Sequence, residues 1–168
     1  MKNIPALDPK VLDLVTEISK EPKVEAAMAF IKDQTEVAMQ EQIELCEIEA
    51  PTFHEEKRAA SVAERMRQYG LTDVHIDEIG NVIGIRKGSG NGPVLAIGAH
   101  MDSVFPAGTD VKVKKEGNIY RAPGIGDNCS GLRALLQVLR ALEKEDIRTV
   151  GDIWFDGTVG EEGNGDIR

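Results

Sequence analysis

Two textures of hydrophobic and polar residues divide the chain, and the change between them falls at Gly70. From Val11 to about Cys46 apolar residues return at three- and four-residue steps (Val24, Ala27, Met28, Ile31, Ala38, Ile43) with charged residues between them, the pattern of helices that bury one stripe. Pro22 divides this stretch into two helices, because proline fits a first turn but not a helix interior. Ala50-Pro51 stops the pattern. Thr52-Phe53-His54-Glu55 then has the spacing of a capping box, in which Thr52 receives a backbone N–H and Glu55 reaches back. A helix is predicted from there to about Tyr69, ended by Gly70, with Ala59, Val62, Ala63, Met66 and Tyr69 facing a sheet.

Beyond Gly70 the runs become short and β-like: Asp73 to Ile76, Asn81 to Arg86 and Pro93 to Ala99. Val94 to Gly98 is continuously apolar, which predicts a central strand covered on both faces and ending at the mouth of a site. Lys87-Gly88-Ser89-Gly90-Asn91-Gly92 lacks the ending of a phosphate loop and joins two strands, so it reads as a turn. Lys112 to Tyr120 forms a hairpin-like excursion. Asn128 to about Leu142 is an amphipathic helix with Leu132, Leu135, Leu136 and Leu139 inward. Gly151 to Phe155 returns to strand. This order of elements predicts an α/β fold, a three-layer α/β/α domain preceded by helices.

Composition narrows the classes of function. At 168 residues the chain is long enough to bury a core, and 41% hydrophobic with 29% charged residues excludes a disordered chain. The formal charge of -9, with no basic block to offset it, argues against nucleic acid or anionic lipid as partner. Cys46 and Cys129 are the only cysteines, too few and too far apart in sequence for a disulfide framework or a zinc knuckle, which suits a reducing compartment. The N-terminus has no uninterrupted apolar core of a secretory signal, and no run reaches the roughly 20 apolar residues of a membrane span. A cytoplasmic protein is expected.

The chemistry is concentrated in three blocks: Gly98-Ala99-His100-Met101-Asp102, Pro123-Gly124-Ile125-Gly126-Asp127-Asn128, and Thr158-Val159-Gly160-Glu161-Glu162-Gly163-Asn164-Gly165-Asp166. His100 and Asp102 leave the same face if the strand stays extended, so Asp102 can hold the ring nitrogen that faces away from a metal. Taken alone, such a pair is more often a histidine satisfied by a neighbouring acid at a strand end. Asp127, where a glycine-rich turn enters a helix, reads either as an N-cap or as a carboxylate bridging two dications, and capping and bridging can divide between Asp127 and Asn128. Adjacent glutamates are common on solvated surfaces, but Glu161 and Glu162 follow the apolar Trp154 and Phe155 and sit among glycines. Glu161 is assigned as general base and Glu162 as metal ligand. His54 and His75 read as surface or helix-end residues, and Asp166 is too near Glu162 to serve an opposite metal without a sharp reversal.

These motifs, in this order, resemble the zinc aminoacylase and carboxypeptidase superfamily, which includes acetylornithine deacetylase, succinyl-diaminopimelate desuccinylase, carboxypeptidase G, peptidase T and tripeptidases. The resemblance runs from near Leu45 to Arg168, and the long form of the Asp127 and Glu161 blocks looks nearer the tripeptidase and peptidase T branch. It implies a zinc-peptidase-like catalytic domain whose first part is residues 51–168, after an N-terminal helical segment of residues 1–50. By resemblance His100 binds one metal, Asp127 bridges two, Glu161 is the base, Glu162 binds the second metal and Asp102 orients His100. The Asp127-Asn128 peptide is expected to be cis. Two zinc ions are implied, with cobalt or manganese suiting the same donors. So is hydrolysis of a peptide or an N-acyl amino acid. Family members continue with another acidic ligand, a lid and dimerisation domain and a late histidine, so the expectation is an incomplete site, inactive by itself, with any homodimer formed through the domain not seen here. The competing expectation is a catalytically silent homologue acting as an interaction or metal-binding module.

Overall fold

A computed structural model describes residues 8–162. Three helices come first: α1 (Pro9–Ile18), α2 (Pro22–Asp33) and α3 (Thr35–Cys46). Pro22 does open a helix, but the expected second helix is broken again at Gln34, whose φ of -90° and ψ of 13° leave the helical region. The Thr35 hydroxyl donates to the Lys32 carbonyl there. The apolar period runs across this break, so spacing alone could not reveal it. α4 (Glu56–Gln68) follows, then β1 (Asp73–Ile76), β2 (Val82–Arg86), β3 (Leu95–His100), a small β4 (Lys114–Glu116) and β5 (Ile119–Arg121) hairpin, α5 (Cys129–Lys144) and β6 (Ile153–Thr158).

The capping box is not formed. α4 starts at Glu56, the Thr52 hydroxyl donates to Asp102, and the Glu55 carboxylate accepts from the Phe53 and Gly160 backbone N–H groups. Both side chains found partners across the fold in place of their own helix end.

The main sheet is mixed, in the order β1-β2-β6-β3, with β2 antiparallel and β3 parallel to β6. The expected central strand, β3, therefore lies at the edge among the described residues, with Leu95 55% exposed, and β6 takes the interior position. Nor is the apolar run covered on both faces among the described residues: Val94 and Leu95 are more than half exposed, because an apolar run records that a strand can be covered and not which element lies on it or beside it. The glycine-rich segment after β2 is a connection, as read from sequence, and its glycines have a specific use. It crosses the start of β6, where a side chain at Gly88, Gly92 or Gly151 would collide with backbone of the facing segment.

Alternate residues of the sheet face α4 and α5, which touch each other and so cover the same side. Val82, Ile153, Phe155 and Ala99 meet Val62, Met66, Leu132, Leu136 and Leu139 in one buried cluster. This match of a period-2 face with a period-3.6 stripe is what makes the chain α/β. α2 and α3 stack outside α5. On the opposite face Trp154 is 37% exposed. Among the described residues no helix is long and apolar enough to cross a membrane.

Candidate metal centre

β3 and β6 run parallel with His100 beside Thr158, so both strands end at one place. The Met101 N–H extends the pairing by one bond to the Thr158 carbonyl, at 2.7 Å. The N-terminus of α5 arrives at the same sheet edge, the position where open α/β sheets collect ligands because successive loops diverge there. Arg58, buried on α4, ties the strand end down by donating to the Met101 carbonyl at 2.6 Å and to the Ile48 carbonyl at 2.5 Å.

His100 divides its two ring nitrogens between different surroundings. Nδ1 lies 3.2 Å from the Asp102 carbonyl and 3.4 Å from Asp102 Oδ1. Nε2 faces outward, 3.0 Å from Asp127 Oδ1 and 3.7 Å from Glu161 Oε2. His100, Asp127 and Glu162 each bring one donor atom within 4.8 Å of the other two. The Asp127-Asn128 peptide is cis. Asn128 supplies the helix cap, its Oδ1 accepting from the Gly131 N–H at 3.0 Å, which leaves the Asp127 carboxylate aimed at His100.

Asp102 is fully buried and acts as a hub. Besides flanking His100 it accepts from the Thr52 hydroxyl at 3.1 Å, the Glu161 N–H at 3.1 Å and the Glu162 N–H at 2.8 Å. Gly160, just before the glutamates, has a φ of +68°, a conformation that costs a side-chain-bearing residue roughly 1 kcal/mol or more. The two glutamates follow the end of β6, where strand alternation has stopped, so both carboxylates reach the neighbourhood of His100.

The electrostatics suit a cation. Asp102, Asp127, Glu161 and Glu162 gather around one imidazole, and among the described residues no Lys or Arg forms an ion pair with any of them. The Asp127 and Glu161 side chains are 79% and 62% exposed, so the site is open on one side. One imidazole nitrogen with carboxylate oxygens, its far nitrogen held by an acid, is a donor set that could hold a divalent metal ion with room for water or substrate. His75 pairs loosely with Asp73 on the surface, His54 is exposed, and neither joins the cluster. Asp166 lies outside the described residues. Sequence reasoning missed Glu55 and Asn81, which accept from the Gly160 and Val159 N–H groups just before the glutamates, and Thr52, which donates to Asp102. The available signal was a polar pair, Thr52 and Glu55, that a local cap explained equally well.

The chain is similar to known proteins in sequence and in fold. The pattern of peptidase family M28 matches residues 81–164, half of the chain. A Pyrococcus abyssi protein provisionally named LysW-lysine/LysW-ornithine hydrolase is 35% identical over 120 residues, covering 71% of this chain and 32% of its own length. Among solved structures, aminopeptidase PepT from Bacillus cereus superposes with a TM-score of 0.66 at 25% identity, over 76% of this chain and 37% of that one. A tripeptidase from Staphylococcus aureus gives 0.62 at 29% identity, over 74% and 36%. The chain thus spans about a third of the length of these relatives. With the fold, the order of the three blocks and these matches in agreement, the chain belongs to peptidase family M28, within the zinc aminoacylase and peptidase superfamily.

Proposed function

We propose that this chain carries most of a two-zinc site for hydrolysis of peptide or N-acyl amide bonds. The observation that carries the reading is the approach of His100, Asp127 and Glu162 donor atoms to within 4.8 Å of one another at the end of the β3–β6 pair. His100 would hold one cation and Glu162 the other, with Asp127 as a ligand to both. Cobalt or manganese would suit the same donors. When bound, the cations supply Lewis-acid polarisation of the scissile carbonyl and acidify water.

The chain's own residues do the rest. Asp102 fixes the His100 ring from Nδ1 and, through two backbone N–H groups, holds Glu161 and Glu162 against it. Glu161, exposed at the open side, takes a proton from the attacking water and returns it to the leaving amine. Small peptides are the proposed substrates, supported by the names of the PepT and tripeptidase neighbours. A reducing, cytoplasmic setting is supported by two free buried cysteines, Cys46 and Cys129.

The three ligands found among the described residues do not saturate two cations, so the 168-residue chain is expected to bind zinc weakly and to turn over little substrate. Calorimetric titration with zinc, paired with hydrolysis assays on tripeptides and N-acyl amino acids, tests this. Zinc binding that is lost in His100→Ala supports the reading; a chain indifferent to zinc contradicts it. Tight binding of two zinc ions with turnover abolished in Glu161→Gln would overturn the claim of an incomplete site. A second reading, an interaction module, draws on the β3 edge, where Val94 and Leu95 at the start of the strand are more than half exposed and no strand pairs beyond it among the described residues. Zinc-independent self-association would favour it.

A further inference from the structure

Four successive backbone N–H groups leave the end of β6, and each is taken by a side chain from elsewhere in the fold. Val159 donates to Asn81 Oδ1 at 3.0 Å, Gly160 to Glu55 Oε1 at 3.3 Å, Glu161 to Asp102 Oδ1 at 3.1 Å and Glu162 to Asp102 Oδ2 at 2.8 Å. A segment that has left its ladder ordinarily gives such groups to water or to turn carbonyls. Here three acceptors converge from the loop before α4, the start of β2 and the end of β3, which fixes the path of the backbone in three directions.

The acceptors are themselves held. Glu55 is 5% exposed, and the oxygen that meets Gly160 also accepts from the Phe53 N–H at 2.9 Å; Phe53 adopts a φ of +70°, rare for a residue with a side chain. Asn81 is oriented by donating its Nδ2 to Asp77 Oδ2 at 2.8 Å. Thr52, three residues before Glu55, donates to the same Asp102 oxygen that holds Glu162. The Glu55 carboxylate, 5% exposed, is held by the neutral Phe53 and Gly160 N–H groups, which offset part of the cost of taking it from water.

We infer that Glu55 and Asn81 are positioning residues for the Glu161–Glu162 pair, acting through the Val159 and Gly160 backbone; this rests on the reading of that pair as base and ligand given above. They set where β6 releases the chain, and Asp102 then sets the two residues that follow. Misplacement of a reacting group by about 1 Å can cost on the order of 100-fold in rate, so two anchors immediately upstream of the base have a direct chemical use.

The test uses the 168-residue chain with Co²⁺ alone as probe, in the variants Glu55→Ala, Glu55→Gln and Asn81→Ala. Three quantities are read: Co²⁺ affinity and visible band shape, amide hydrogen exchange at Val159 to Glu162, and the melting temperature without metal. Loss of a supporting hydrogen bond to a ligand segment is expected to weaken Co²⁺ binding roughly 10- to 100-fold and to change the bands. Exchange at Val159 to Glu162 should accelerate in both alanine variants, and Glu55→Gln, which keeps an acceptor oxygen, should restore both signals. Parental exchange and parental Co²⁺ binding in Glu55→Ala and Asn81→Ala, with only the melting temperature lowered, would reduce both residues to fold closure and overturn the inference. If the parent chain ignores Co²⁺, the metal reading fails by itself. Exchange then decides alone: protection lost in Glu55→Ala and regained in Glu55→Gln upholds positioning, and unchanged protection overturns it.

Discussion

The Asp102 carboxylate stands 3.4 Å from Nδ1 of His100 while it is wholly buried, and its remaining capacity is spent on Thr52 and on the N–H groups of Glu161 and Glu162. One side chain therefore ties the end of β3 to the segment after β6, and a change at residue 102 acts on both halves of the proposed site at once.

Asp102→Ala is expected to weaken zinc binding roughly 10- to 100-fold, since it removes the group orienting the His100 ring. It should also lower unfolding stability by about 1–3 kcal/mol, because the N–H groups of Glu161 and Glu162 lose their acceptor. Calorimetric titration and urea denaturation measure the two effects separately. Zinc affinity equal to that of the parent would refute the orienting role.

Asp156, on the sheet face away from α4 and α5, has a buried Oδ1 with no hydrogen-bond partner. Burial pushes its carboxyl above the ordinary value of 3.8. A raised folded value means that the group favours the folded state only while it is protonated, below about pH 3.8, and that this contribution is lost as pH rises through the folded value. Asp156→Asn is accordingly expected to raise the melting temperature near neutral pH, with the gain vanishing below that point. Melting curves across the acid range decide it, and a variant that melts lower at neutral pH would contradict the sign.

Leu136 is fully buried among α4, α5 and sheet residues, whereas Val138, two positions along the same helix, is 39% exposed. Leu136→Ala should cost about 2–5 kcal/mol, the transfer term plus the cavity. Val138→Ala should stay within about 0.5 kcal/mol, as surface changes do. Urea midpoints that shift equally in the two variants would show that α5 is docked differently.

Cys46 and Cys129 are both inaccessible, and a hydrogen bond with Cys129, together with burial, pushes the Cys46 thiol well above its usual range. Neither should react with an aromatic disulfide reagent in the native protein, and both should titrate once denaturant is added. A thiol that reacts rapidly without denaturant would place it at the surface.

Periodicity alone determined the element types: the strand at Asp73–Ile76 and the leucine face of α5 appear as read, and the three chemical blocks were legible because histidine and acids beside glycines are rare in a strand-rich context. These signals are local, carried by neighbours a few residues apart. What tertiary structure decided is non-local. β6 lies between β2 and β3, although more than 50 residues separate it from β3, and the close approach of the β2–β3 connection to its start leaves no room for a side chain at Gly88, Gly92 or Gly151. Thr52 and Glu55 had a sufficient local use as a cap, and only packing showed that Asp102 and the Gly160 N–H offered them better-placed partners. Hydrogen-bonding capacity is written in the sequence, whereas the choice among possible partners depends on which groups the fold leaves buried together and otherwise unsatisfied.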